Sequence, residues 1–261
     1  MKLKLLGLAV LLGNAVFGMQ AARAQDVPVI AAASDLQFAL TEVADAFAKE
    51  SKHEVKLAFG SSGNFFRQIQ QSAPFQMFLS ADEQFVLDLA ANGFTEGDGV
   101  LYAIGRIAIV APHGSPLVAY GGLAGLKQAL ADGMVTKFAI ANPEHAPYGR
   151  RAEEALRHAG LWEPIKDKLV MGENVSQAAQ FAVSGAAQGG IIAYSLALAP
   201  EIAKLGNSAL IPADWHEPLR QRMALIKRAG ETAQAFYAFM QGPAARGIMR
   251  RYGFLLPGET S

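Results

Sequence analysis

An apolar strand, a short polar turn and an amphipathic helix recur in that order along this chain, and the recurrence restricts its fold more than any other feature. "VPVIAAA" (27–33) has the unbroken apolar character of a buried strand, and Leu36, Ala39, Leu40, Val43, Ala44 and Phe47 then fall at helical spacing over 35–51. "EVKLAF" (54–59) alternates as a strand does, and Phe65, Phe66 and Ile69 continue on one helical face. "MFLSA" (77–81) precedes a helix over 82–92 that Asn92-Gly93 closes. Further strands are predicted at "RIAIVAP" (106–112), "KFAIANP" (137–143), "KLVMG" (168–172), "GGIIAYSL" (189–196), "ALIPAD" (209–214) and "RMALIKR" (222–228), with helices over 149–159, 174–185, 231–241 and 243–252. Such alternation makes the chain an α/β protein whose parallel sheets are covered by helices. The strands at 106–112 and 209–214 are flanked by breakers and can serve as crossovers. The expected division is one lobe of 25–105 plus 210–261 and a second lobe of 106–209.

The first 24 residues belong to neither lobe. Lys2 and Lys4 precede the apolar run 5–18, and "ARA" (22–24) offers the small residues a signal peptidase reads, so 1–24 is expected to be a cleaved signal peptide. The apolar run is too short for a comfortable membrane span, and none of spanning length follows it. The exported chain then holds 20 basic against 23 acidic residues, a net charge of −3. That balance gives no electrostatic reason to bind nucleic acid or an anionic membrane. Cysteine is absent, which excludes thiol catalysis and thiolate metal sites, and the five histidines show no metal-ligand spacing.

Chemistry concentrates in the turns. Gly60-Ser61-Ser62-Gly63 lacks the G-x-S-x-G spacing of a hydrolase elbow, and no lysine follows it as a P-loop requires. An N-cap is the simplest role for a serine there. Yet Ser34-Asp35, Pro147-Tyr148-Gly149 and Asn174-Val175-Ser176 occupy equivalent places, each after a strand and before a helix. In open α/β sheets that edge is where ligands bind, and helix amino ends favour anions. Two turns from each lobe would converge on a small oxyanion, held by hydroxyls and backbone amides and not by salt bridges.

"AAASDLQFAL" (31–40), "FGSSGNFFRQI" (59–69), "APFQMFLSAD" (73–82), "ANPEHAPYGRRAEEAL" (141–156), "ENVSQA" (173–178) and "GPAARGIMRRYGF" (242–254) together resemble the molybdate-binding periplasmic proteins of ABC transporters, over essentially the whole exported chain. The resemblance implies a two-lobed periplasmic-binding-protein fold of type II with a hinged cleft. It further implies molybdate or tungstate as ligand, an inner-membrane ABC permease as partner, a periplasmic monomer, no cofactor and no enzymatic activity. Molybdenum would be held only as its oxyanion. By motif, Ser34 would give its hydroxyl and amide, Ser62 its hydroxyl, and Asp35, Tyr148 and Val175 backbone amides. Ser61 is a lesser candidate that could simply cap or buttress. Tyr194 is another, since it stands one residue from the family's tyrosine, with Ala193 in that place, and strand alternation would turn its ring to the opposite face. The Asp35 side chain is expected to turn away from a dianion, where it could cap a helix. Arg67, Arg150 and Arg151 could attract the anion or lie on a solvated surface. His145 could brace the cleft turn or be exposed. A receptor for sulfate or phosphate, and more distantly an exported serine hydrolase with His145 or His216 as base, are the alternative readings.

Overall fold

Two five-stranded sheets, each covered by helices, divide the chain between them. The structure is a computed structural model and describes residues 27–258; the expected signal peptide, 1–24, lies outside the described residues. The first sheet contains β1 (Val29–Ala33), β2 (Lys56–Gly60), β3 (Phe75–Ser80), β4 (Val100–Gly105) and β10 (Leu219–Leu225), in the order β2-β1-β3-β10-β4. The second contains β5 (Ile107–Pro112), β6 (Phe138–Ala141), β7 (Leu169–Gly172), β8 (Gly190–Ala193) and β9 (Gly206–Leu210), in the order β7-β6-β8-β5-β9. Helices α1 (Gln37–Ser51), α2 (Ser62–Gln70), α3 (Glu83–Ala91), α10 (Glu231–Gln241) and α11 (Pro243–Arg251) cover the first sheet, forming lobe I. Lobe II carries α4 (Gly122–Ala131), α5 (Pro147–His158), α6 (Trp162–Ile165), α7 (Val175–Val183), α8 (Tyr194–Leu198) and α9 (Pro200–Ala203).

The sheets are mixed, not purely parallel as the strand–helix alternation alone suggests. β10 runs antiparallel to β3 and β4, and β5 antiparallel to β8 and β9. Connectivity explains the reversal. β4 leaves lobe I at the carboxyl edge of its sheet and passes through Arg106 into β5. That strand therefore enters lobe II at the facing edge: Ile107 pairs with Ala193, the last residue of β8. The return from β9 does the same, so Leu219 at the start of β10 pairs with Gly105 at the end of β4. The two inserted strands fix both sheets with their carboxyl edges toward one another.

Lobe I has a core on each sheet face. Leu36, Phe47, Phe236 and Met249 pack beneath α1, α10 and α11, while Phe65, Phe78, Val86 and Leu89 pack beneath α2 and α3. The core of lobe II, around Phe138, Ile140, Leu156 and Ile192, continues through Tyr148 and Val175 to Ala33 and Ala81 of lobe I. Apolar packing thus runs across the cleft.

Three local differences from the sequence reading have physical causes. "GGIIAYSL" is apolar enough for a strand of eight, but β8 stops at Ala193 and Tyr194 opens α8. The strand expected over 209–214 lies at 206–210, ahead of Pro212, which cannot donate to a ladder. β4 and α4 had no reading from periodicity.

Candidate functional site

Five strand ends meet at the interface between the lobes, and each passes into a helix. β2 ends at Gly60, and Ser61 caps α2, its Oγ accepting from the Asn64 amide at 3.4 Å. The Asn174 side chain caps α7 by accepting from Gln177 N at 3.0 Å, and Pro147 begins α5, where a missing N–H costs nothing. The first amides of a helix have no acceptor inside it. Here those include the amides of Ser62, Tyr148 and Val175, residues gathered around one cavity with the Ser34–Asp35 turn after β1.

Ala33, Ser34, Asp35, Gly60, Ser61, Ser62 and Ala81 of lobe I, with Ala146, Pro147, Tyr148 and Val175 of lobe II, line one small cavity of about 180 Å³ counted with its mouth. Larger hollows lie beside His113 and Gln188, about 740 Å³, and beside Ile211 and Pro218, about 840 Å³. Neither gathers helix amino ends from both lobes, so the small cavity is the candidate site. Of the residues singled out in the sequence, Ser34, Asp35, Ser61, Ser62, Tyr148 and Val175 all line it. Tyr194 does not: its ring lies under the Arg106 guanidinium, 4.8 Å from centroid to Cζ, near Gly253. It is helical, so strand alternation is not what directs it.

The serine hydroxyls are arranged to donate. Ser62 is fully buried and its Oγ accepts from Ala81 N at 3.0 Å. Ser34 Oγ accepts from Ser176 N across the cleft at 3.2 Å. With a lone pair committed to a backbone N–H, each hydroxyl keeps its proton for another acceptor. Ser61 differs. Besides capping α2, its Oγ lies 3.0 Å from His145 Nδ1, whose Nε2 is 3.5 Å from Glu173. His145 is buried and braces the turn, one of the two roles open to it from sequence. The serine–histidine–carboxylate contact is not a hydrolase site. Ser61 has ordinary extended backbone, φ −81° and ψ 144°, without the strained elbow that exposes a nucleophile.

Asp35 departs from expectation. Its side chain does not cap the helix but enters a buried network, with Oδ2 accepting from Gln221 Nε2 at 2.7 Å and from the Tyr148 hydroxyl at 3.0 Å. Tyr102 donates to Gln221 Oε1 at 2.8 Å and so fixes which way the amide points. Ser195 Oγ donates to the Asp35 carbonyl at 2.8 Å. Burial pushes the Asp35 carboxyl from 3.8 up to about 7, against the lowering effect of Gln221, Tyr148 and its own backbone amide. The same burial, with the carboxyl nearby, raises the Tyr148 and Tyr102 phenols well above their usual range. Gln221, Tyr102 and Ser195 were not singled out from sequence. Gln221 had a signal, being the polar residue in the buried phase of "LRQRM", between Leu219 and Met223.

The arginines at the rim are engaged in local pairs. Arg67 donates to Asn64, Arg151 pairs with Glu154, and Arg150 lies 3.7 Å from Asp82 across the cleft. Asn64 also reaches Glu173, and Ser176 reaches Gln37, so lobe-to-lobe contacts ring the cavity. Among the described residues no cluster of histidine, aspartate and glutamate could hold a metal ion, and no helix is long and apolar enough to cross a membrane.

Residues 28–255 match the family described as bacterial extracellular solute-binding protein. The molybdate-binding protein ModA of Rhodobacter capsulatus is 33% identical over 243 residues, covering 92% of each chain. Among solved structures, the Azotobacter vinelandii periplasmic molybdate-binding protein superposes with a TM-score of 0.79 at 31% identity, covering 88% of this chain and 99% of that one. The sulfate-binding protein SubI from Mycobacterium tuberculosis H37Rv, at a TM-score of 0.70 and 15% identity over 89% of this chain and 87% of that one, shares the fold alone.

Proposed function

The chain belongs to the bacterial extracellular solute-binding protein family and is a binding protein, not an enzyme; from that premise we propose that its cleft captures molybdate for delivery to an ABC-type importer. One observation carries the reading: serine hydroxyls of lobe I and first-turn helix residues of both lobes line a single small cavity whose lining includes no lysine, arginine or histidine. Neutral donors at helix amino ends suit a fully ionised tetrahedral oxyanion. Among such anions, molybdate is favoured by the names of the similar proteins from Rhodobacter capsulatus and Azotobacter vinelandii. In this reading Ser34 and Ser62 give hydroxyls, and Asp35, Tyr148 and Val175 give backbone amides. Tungstate, with the same geometry and charge, occupies the same place. The protein works as a periplasmic monomer without a cofactor, released from its leader 1–24, and meets an inner-membrane permease.

Calorimetric titration of residues 25–261 tests this. Tight one-to-one binding of molybdate, undisturbed by excess sulfate, is expected. Heat with sulfate or phosphate but none with molybdate would keep the cradle and change the ligand. Silence with every oxyanion would remove the reading.

A further inference from the structure

A buried carboxyl lines the cavity in which the proposed function places a dianion. Asp35 is 1% exposed and lines the site beside Ser34. The groups that face it come from four elements and are all uncharged: Tyr148 on α5, Gln221 on β10, Tyr102 on β4 and Ser195 on α8. Arg106, on the crossover between the lobes, gives its guanidinium to the Gly253 carbonyl and the Tyr194 ring instead. The two carboxylate oxygens are not equivalent. Oδ2 accepts two hydrogen bonds, whereas Oδ1 is buried and has no protein partner. An ionised carboxylate with one oxygen unsatisfied is poorly stabilised already, and a second negative charge nearby disfavours its ionised form further.

Resting on the molybdate reading, we infer that the cleft binds its dianion together with one proton, taken from a buffer acid or hydronium and held on Asp35 Oδ1. The donors to Oδ2 stay in place, so the closed cleft keeps its network while its carboxyl becomes neutral. Burial, only partly offset by hydrogen bonds, already holds Asp35 at about 7 without any anion, so the bound anion moves a group already near neutrality and not one far from it. The consequence is a site that weakens in base. The dissociation constant for molybdate rises about tenfold per pH unit between the values at which Asp35 ionises in the free and in the liganded protein.

The test is titration of residues 25–261 with molybdate near pH 8, in buffers of different ionisation enthalpy. The dependence of the observed heat on the buffer gives the protons taken up. Uptake approaching one per molybdate is expected for the native protein, and none for Asp35→Asn whatever its affinity. Heat with no buffer dependence overturns the inference, and so does uptake undiminished in Asp35→Asn, which would place the proton elsewhere. Absence of heat with molybdate overturns the ligand reading, and the inference with it. If Asp35→Asn does not fold, Tyr148→Phe serves. It removes a donor to the ionised carboxylate and should move the pH window for uptake upward; an unmoved window counts against the inference.

Discussion

At the scale of single residues, the two neighbouring serines separate into different tasks. Ser62 takes the Ala81 amide and keeps its proton for the cavity, while Ser61 caps a helix and meets His145. Losing one charge-assisted hydrogen bond at a buried site costs about 1.5–3 kcal/mol. Ser34→Ala and Ser62→Ala should therefore each weaken molybdate binding roughly ten- to a hundredfold by calorimetry, with Ser61→Ala losing much less and lowering stability by about 1 kcal/mol through its cap. Equal, negligible losses at all three would place the ligand elsewhere. Asp35 makes a separate prediction for the folded state. Its carboxyl titrates at about 7 when folded against the ordinary 3.8, so between those values the folded chain holds a proton that the unfolded chain has released. Its contribution to stability is full below 3.8 and is lost as the pH rises to about 7, by at most roughly 4 kcal/mol. Asp35→Asn should melt above the native protein at pH 8 and level with it near pH 4; a gap independent of pH would refute the cause given. The serines and Asp35 were legible from sequence because each lies at a strand-to-helix turn. Of the groups around Asp35, Tyr148 was legible in the same way and Gln221 only as a polar residue in a buried phase; Tyr102 and Ser195 were not, since they come from a distant strand and a short helix that only the folded topology brings near.

At the scale of elements, the sequence was most legible where a polar cap separates two clear periodicities, as at α2, α3 and α7, whose caps Ser61, Asp82 and Asn174 all bond to first-turn amides. It was least legible where apolar character continues through a change of structure. Ile191 and Ile192 run into Tyr194 without a turn signal, yet the strand gives way to helix there, with the Tyr194 ring beside Arg106 and Gly253. The direction of β5 and β10 was also hidden, because strand reversal follows from which lobe the chain has just left. α5 supplies the prediction for this scale. It lies so close to the end of β6 that a Cβ on Gly149 would run into the Ala141 carbonyl. In an isolated helix alanine is favoured over glycine, yet here Gly149→Ala has to push α5 off its strand, an overpacking cost of about 1–3 kcal/mol. Lower melting temperature with weaker molybdate binding is expected, because the Tyr148 amide moves with the helix. A more stable variant would show that α5 has room to shift.

At the scale of the molecule, the lobes are joined by two crossovers, Gly105 to Ile107 and Leu210 to Leu219, and meet across the cavity through backbone as well as side chains. Across the cleft, the Gly63 amide in α2 donates to the His145 carbonyl of lobe II at 3.0 Å. A Cβ added at Gly63 would lie 2.7 Å from that carbonyl oxygen and 3.1 Å from the His145 Cα, both backbone atoms. Within lobe I the change is harmless, since Gly63 is helical and alanine is the better helix former there by up to about 1 kcal/mol. Across the cleft it acts as a wedge that only separation of the lobes relieves. Gly63→Ala thus opposes closure without weakening either lobe, a hinge effect separable from folding. Its melting temperature without ligand should equal or exceed that of the native protein, while molybdate binding weakens at least tenfold. Small-angle scattering should show a larger radius of gyration that added molybdate fails to reduce at concentrations compacting the native chain. Native affinity in this variant would mean that the anion is bound without the contact between α2 and the His145 turn, and that the closed arrangement is not the one that holds it.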